Sequence, residues 1–126
     1  MATILVVDDA PVCREPISAA LRLAGHKTLS ASNGQEALMV LQKEHPDLVL
    51  LDIAMPVMDG ITTLRKIREM PQFKDLPVML LTAVTDSQYL TSASDLRPAE
   101  MLLKSQFSLQ EMLARVQRCL KKSAAA

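Results

Sequence analysis

Five polar residues stand directly behind short apolar runs: Asp8 and Asp9 after Ile4–Val7, Asp52 after Leu48–Leu51, Thr82 after Val78–Leu81, and Lys104 after Met101–Leu103. If those runs are parallel strands of one open sheet, ligands bind beyond their carboxyl ends, where the strand order reverses. Three carboxylates, a hydroxyl and an ammonium would then meet at one edge. Three acids so close repel one another strongly unless something cationic is held among them. Mg2+ takes oxygen ligands, keeps several waters and bridges carboxylates to a phosphoryl group, which suits a set of Asp residues without His or Cys. Formal charge also closes, three carboxylates against Mg2+ and Lys104. Any one of these Asp residues alone would pass for a turn former or a helix cap; the five positions together are the signal.

The runs have strand length and no polar alternation, as in strands buried on both faces. Lys27–Ala31 alternates instead and fits a sheet edge. Between the runs the period turns helical. Ile17, Ala20, Leu21 and Ala24 form the first stripe, with Gly25 placed to end that helix. After Asn33-Gly34, Ala37, Leu38 and Leu41 form the second, which His45-Pro46 should stop. Asp59 can cap a third through Ile61, Leu64, Ile67 and Arg68. A fourth, over 87–96, is the weakest, because Ser87, Thr91, Ser92 and Ser94 lower helix propensity. Ser108-Leu-Gln-Glu111 reads as a capping box opening the last. The alternation is (βα)5, and right-handed crossovers make it a doubly wound, three-layer α/β/α sandwich.

The chain has 126 residues, 49% of them hydrophobic, enough for one domain with a real core. Fourteen Lys plus Arg balance fourteen Asp plus Glu, so no net field draws it to nucleic acid or an anionic membrane. Three aromatics (Phe73, Tyr89, Phe107) and no Trp exclude a base-stacking platform. The basic stretches Arg65–Arg68 and Arg115–Lys122 lie late in helices, where cations suit the dipole, and read as solvated faces. Ile4–Val7 is too short for a signal peptide or a span, so a cytoplasmic protein is expected. Cys13 and Cys119 lack metal-ligand spacing, as do His26 and His45, and the eight Met residues read as core filler.

Val7-Asp8-Asp9, Leu51-Asp52, Met55-Pro56-Val57-Met58-Asp59-Gly60, Pro77 to Thr82-Ala83 and Leu103-Lys104 together resemble a bacterial two-component response-regulator receiver domain, of the single-domain, chemotaxis-regulator kind. The resemblance covers nearly the whole chain. It implies a flavodoxin-like five-stranded parallel sheet in the order 2-1-3-4-5, with a receiver over residues 1–122 and a tail or linker start over 123–126. It implies that Asp52 accepts a phosphoryl group from a sensor histidine kinase or phosphotransfer protein, the receiver assisting its own phosphorylation and dephosphorylation without being an enzyme in the usual sense. Asp9, Asp52 and the Ala54 backbone carbonyl would hold Mg2+, and Asp8 would act through a metal-bound water. Lys104 and Thr82 would each meet a phosphoryl oxygen. Roughly 1.5 to 2 added negative charges at Asp52 would shift a pre-existing equilibrium. Output would pass to an unknown protein at the face of the fourth helix, fifth strand and fifth helix, with no direct nucleic acid or membrane contact.

Three departures from the family fall on that output side: Ser105 where Pro usually follows the lysine, Met101 where an aromatic is usual, and Leu96-Arg97-Pro98 in place of a small Gly-containing turn. A trans Lys104-Ser105 bond is expected, since cis before a non-proline costs about 2.5–4 kcal/mol. The competing function is a receiver-like binding module that docks its partner whether or not Asp52 is modified. An Asp-nucleophile phosphatase would want a second acid at position 54, which is Ala, and flavin phosphate would be repelled by Asp8-Asp9. Cys13 and Cys119, at opposite ends of neighbouring helices, should lie about 15 Å apart and form no disulfide. Pro16, lacking an N–H, should confine regular helix to residues from about 16 onward or disturb it near Val12, in a first turn beginning near Cys13.

Overall fold

The computed structural model describes residues 2–53, 55, 57–82, 96–103 and 108–125. Five strands, β1 (Thr3–Val7), β2 (Lys27–Ala31), β3 (Leu48–Asp52), β4 (Val78–Thr82) and β5 (Glu100–Leu103), form one parallel sheet in the order β2-β1-β3-β4-β5. The three inner strands are the runs without polar alternation, and β2 lies at an edge, as its alternation predicts. β5 carries an apolar run too, yet only Leu102 in it is buried; as the other edge strand it leaves Met101 and Leu103 half-buried.

The pleat sends alternate residues to opposite faces and so divides the core in two. Ile4, Val6, Leu48, Leu50, Met79 and Leu81 lie under α1 (Pro11–Leu23) and the C-terminal helix (Leu109–Ala125), which supply Ile17, Leu21, Met112, Val116 and Cys119. Leu5, Val7, Val49, Leu51, Val78 and Leu80 lie under α2 (Gly34–Leu41) and α3 (Gly60–Glu69), which supply Ala37, Leu41, Ile61, Leu64 and Ile67. Each such side chain, fully buried, contributes about 1.5–3 kcal/mol. The helix ends are set locally. Asn33 caps α2 by accepting from Glu36 N at 2.9 Å, Asp59 caps α3 by accepting from Thr62 N at 2.7 Å, and Ser108 Oγ accepts from Glu111 N at 3.1 Å. At Gly25 (φ 96), His26 N donates to Leu21 O and Gly25 N to Arg22 O, the paired bonds of a Schellman stop after α1.

One expectation about helix limits is corrected. α1 begins at Pro11 rather than near Cys13 and runs unbroken through Pro16. Pro11 at its first position forgoes nothing, and the bond Pro16 cannot make falls on the carbonyl of Val12, a residue that is 80% exposed. α2 ends at Leu41, the last residue of its stripe and before His45-Pro46, and the chain tightens there into i to i−3 bonds, Gln42 N to Met39 O and Lys43 N to Val40 O. The C-terminal helix is described to Ala125. A short 3-10 turn, Pro71–Phe73, follows α3 and was not foreseen. The helix expected over 87–96 lies, apart from Leu96, outside the described residues, as does the Lys104-Ser105 bond. α1 packs beside the C-terminal helix, and Cys13 and Cys119 are thiols, with no disulfide between them.

Candidate functional site

Strand register builds the site. Val7 of β1 pairs with Leu51 of β3, so Asp8 and Asp52 follow as neighbours. Asp52 pairs with Leu81 of β4, so Thr82 stands one step beyond it, itself opposite Leu103 of β5. Asp8, Asp52 and Thr82 are buried, at 0%, 3% and 2% exposure, while Asp9 opens to solvent. One carboxylate oxygen from each of Asp8, Asp9 and Asp52 lies within 4.8 Å of the others. Three hard oxygen donors at that spacing, two of them in a low-dielectric setting, fit a small divalent cation and would be held together by one. Lys104 and the Ala54 carbonyl lie outside the described residues.

Each acid is fixed by its strand end. Asp8 N donates to Ala31 O at 3.2 Å, and Asp8 Oδ1 accepts from Ala10 N at 3.0 Å, closing the turn that presents Asp9. On β3, Ile53 N donates to Leu81 O at 3.0 Å and Gly60 N to Ile53 O at 2.7 Å, folding the loop back over the strand end. A Cβ on Gly60 would press into the Asp52 carbonyl and lie 2.7 Å from the Ile53 Cα, so only glycine allows α3 to start there. Within the loop Val57 takes φ 71, a conformation that β-branched residues rarely adopt.

Two features were not legible in the sequence. Gly60 matters only because α3 begins against β3. Arg14 was passed over as a helix residue, yet its Nη1 donates to the Asp8 carbonyl at 2.6 Å. Its one advance signal was position, a cation in the opening turns of a helix that has no acidic residue in its first turn. Beside it, Glu36 accepts from Ser32 N at 3.0 Å and Ser32 Oγ at 2.7 Å. The backbone bond foremost, then the hydroxyl, with Arg14 adding to them, hold that carboxyl below its usual range.

Residues 4–117 match the response regulator receiver domain family. The chain belongs to that family. Among relatives of this receiver, the phosphate regulon transcriptional regulatory protein PhoB of Pseudomonas aeruginosa is 34% identical over 121 residues, which are 96% of the chain and 52% of the relative. The probable transcriptional regulatory protein TcrX of Mycobacterium tuberculosis is 35% identical over 121 residues, 96% of the chain and 50% of the relative. The receiver thus spans about half the length of the curated relatives it matches. The chemotaxis response regulator CheY4 of Vibrio cholerae superposes with a TM-score of 0.87 at 32% identity, covering 94% of this chain and 98% of that one. A signal receiver domain of a histidine kinase from Syntrophus aciditrophicus gives 0.90 at 29%, covering 97% and 92%. The expected fold and family are thereby established, and with them a domain of two-component signalling. No described helix is long and apolar enough to cross a membrane.

Proposed function

We propose that this receiver is a Mg2+-dependent switch in which Asp52 accepts a phosphoryl group from a phosphohistidine on a sensor histidine kinase or phosphotransfer protein. The observation that carries this reading is the convergence of three carboxylate oxygens within 4.8 Å at the ends of adjacent strands. An Asp52 oxygen attacks phosphorus as the P–N bond of the donor breaks, and the imidazole keeps the electron pair and takes up a proton. Such a step needs positioning and charge neutralisation more than covalent help. Asp9 and Asp52, with the Ala54 carbonyl, would hold the cation, and Asp8 would act through a water. Mg2+ at that place would neutralise the acids and the phosphoryl oxygens. Thr82, next to Asp52 across the β3–β4 register, would donate its hydroxyl to one phosphoryl oxygen, and Lys104, following β5, would pair with another.

The receiver unit is read as 1–122, the cytoplasm as its compartment, and a protein at the face of β5 and the C-terminal helix as its output partner. Incubation with a radiolabelled small-molecule phosphodonor tests the central step. Wild type is expected to label stoichiometrically with Mg2+, and Asp52→Asn or excess chelator to abolish the label. Labelling that survives either treatment would overturn the reading. Thr82→Ala should still accept phosphate.

A further inference from the structure

Arg14 sits against the electrostatics of its own helix. Its guanidinium lies near the amino end of α1, where the helix dipole already favours anions. It nevertheless turns inward. Nη1 holds the Asp8 carbonyl at 2.6 Å, while Nε is buried with no hydrogen-bond partner, the Glu15 carboxylate standing 4.0 Å off. A donor left unmatched in a buried place is costly, and an arginine turned out to solvent would avoid it. The retained bond completes the fixing of the acidic turn: Asp8 N is held by Ala31 O, Asp8 Oδ1 by Ala10 N, and Asp8 O by Arg14. Those three bonds help to set where Asp8 and Asp9 stand relative to Asp52.

We infer that Arg14 is a positioning residue for the divalent cation, acting through the Asp8 carbonyl on the turn that carries two of the three acids. This rests on the phosphoacceptor reading above. Two effects of the side chain on the cation have opposite signs. As a nearby positive charge it repels Mg2+, so its removal should tighten binding. As the anchor of the turn it places the ligands, so its removal should loosen binding. The second effect dominates because the contact is a direct charge-assisted bond to the ligand-bearing turn, whereas the repulsion is one positive charge set against the three carboxylates of the site.

Calorimetric titration with MgCl2 of the wild type, R14M and R14K, each checked for folding by circular dichroism and thermal melting, decides between the signs. R14M is expected to bind Mg2+ about tenfold more weakly, the usual loss on removing a group that orients metal ligands. R14K, whose ammonium can still donate to one carbonyl, should stay within a few-fold of wild type. If R14M does not fold, R14L, which likewise lacks both the donor and the charge, is titrated in its place. Weaker binding than in R14K supports the inference. Affinity that is unchanged or tighter in the uncharged variant overturns it, including the case in which only the melting temperature falls, which marks a merely structural role. Failure of the wild type itself to bind Mg2+ would instead overturn the phosphoacceptor reading.

Discussion

Val57 and Arg97 hold φ values of 71° and 56°, in the region where an L-residue brings its Cβ against the following carbonyl. The cost is about 1–2 kcal/mol each. Val57 is 73% exposed, so burial returns nothing there, and it lies in the loop that folds back over Asp52. Val57→Gly should therefore raise stability by about 0.5–1 kcal/mol after allowing for the flexibility glycine brings to the unfolded chain. Equilibrium urea denaturation measures it, and a midpoint at or below wild type would show the loop to be unstrained. Glu36 makes a pH-dependent contribution of the opposite kind. Its carboxylate is favoured by its bonds from Ser32 foremost, so its folded-state pKa is depressed. That stability is fully present above the unfolded glutamate value of about 4.3 and is lost as pH falls through the lower folded value. Glu36→Gln should melt below wild type at neutral pH, and the two curves should converge as the pH falls through the lowered folded value.

At the scale of elements, Arg68 ties pieces together that the sequence keeps far apart. From the last turn of α3 its guanidinium donates to Leu76 O at 2.7 Å, Leu96 O at 2.9 Å, Arg97 O at 3.0 Å and Phe73 O at 3.4 Å. Burial, and then the charge of Arg97, lower its pKa. It thus pins the approaches to β4 and β5 and holds Arg97 in its strained turn, where a glycine-containing turn would be usual for the family. Arg68→Met should destabilise by roughly 2–3 kcal/mol, and Arg68→Lys should not restore it, because one ammonium cannot span four carbonyls. Hydrogen exchange over 96–103 should quicken in both. This contact shows why some elements were legible and others were not. β1, β3 and β4 are legible from unbroken apolar runs, and the caps at Asp59 and Ser108 from chemistry acting within three residues. Asp8, Asp9, Asp52 and Thr82 could be read because a parallel sheet gathers strand ends. Arg68, Arg14 and Gly60 act on residues brought near only by the packed fold, and no local pattern carries that. α1 starts earlier than Pro16 suggests because Pro11 takes its first position and the bond Pro16 cannot make falls to Val12, an exposed residue.

For the whole molecule, the site lies where the adjacent inner strands β1 and β3 end side by side, beyond a sheet whose faces carry separate cores. The position of β1, first in the chain yet flanked by both β2 and β3, also bears on the order of folding. Each neighbour is reached through short crossovers, so residues 3–52 close a three-stranded unit with α1 and α2 before any later segment is needed. β5 can join only through β4. Loop-closure entropy then favours a transition state organised in the amino-terminal half, with β5 docking late. Conservative truncation in β1, such as Ile4→Val, should slow refolding with a φ-value above about 0.5, whereas Leu102→Ala in β5 should mainly hasten unfolding, with a value below about 0.3. Chevron plots with the reverse pattern would move the nucleus to the β4–β5 edge. With the expected pattern, the acidic turn and Asp52 assemble first, and the strand beside Thr82 is the last to lock and the first to release.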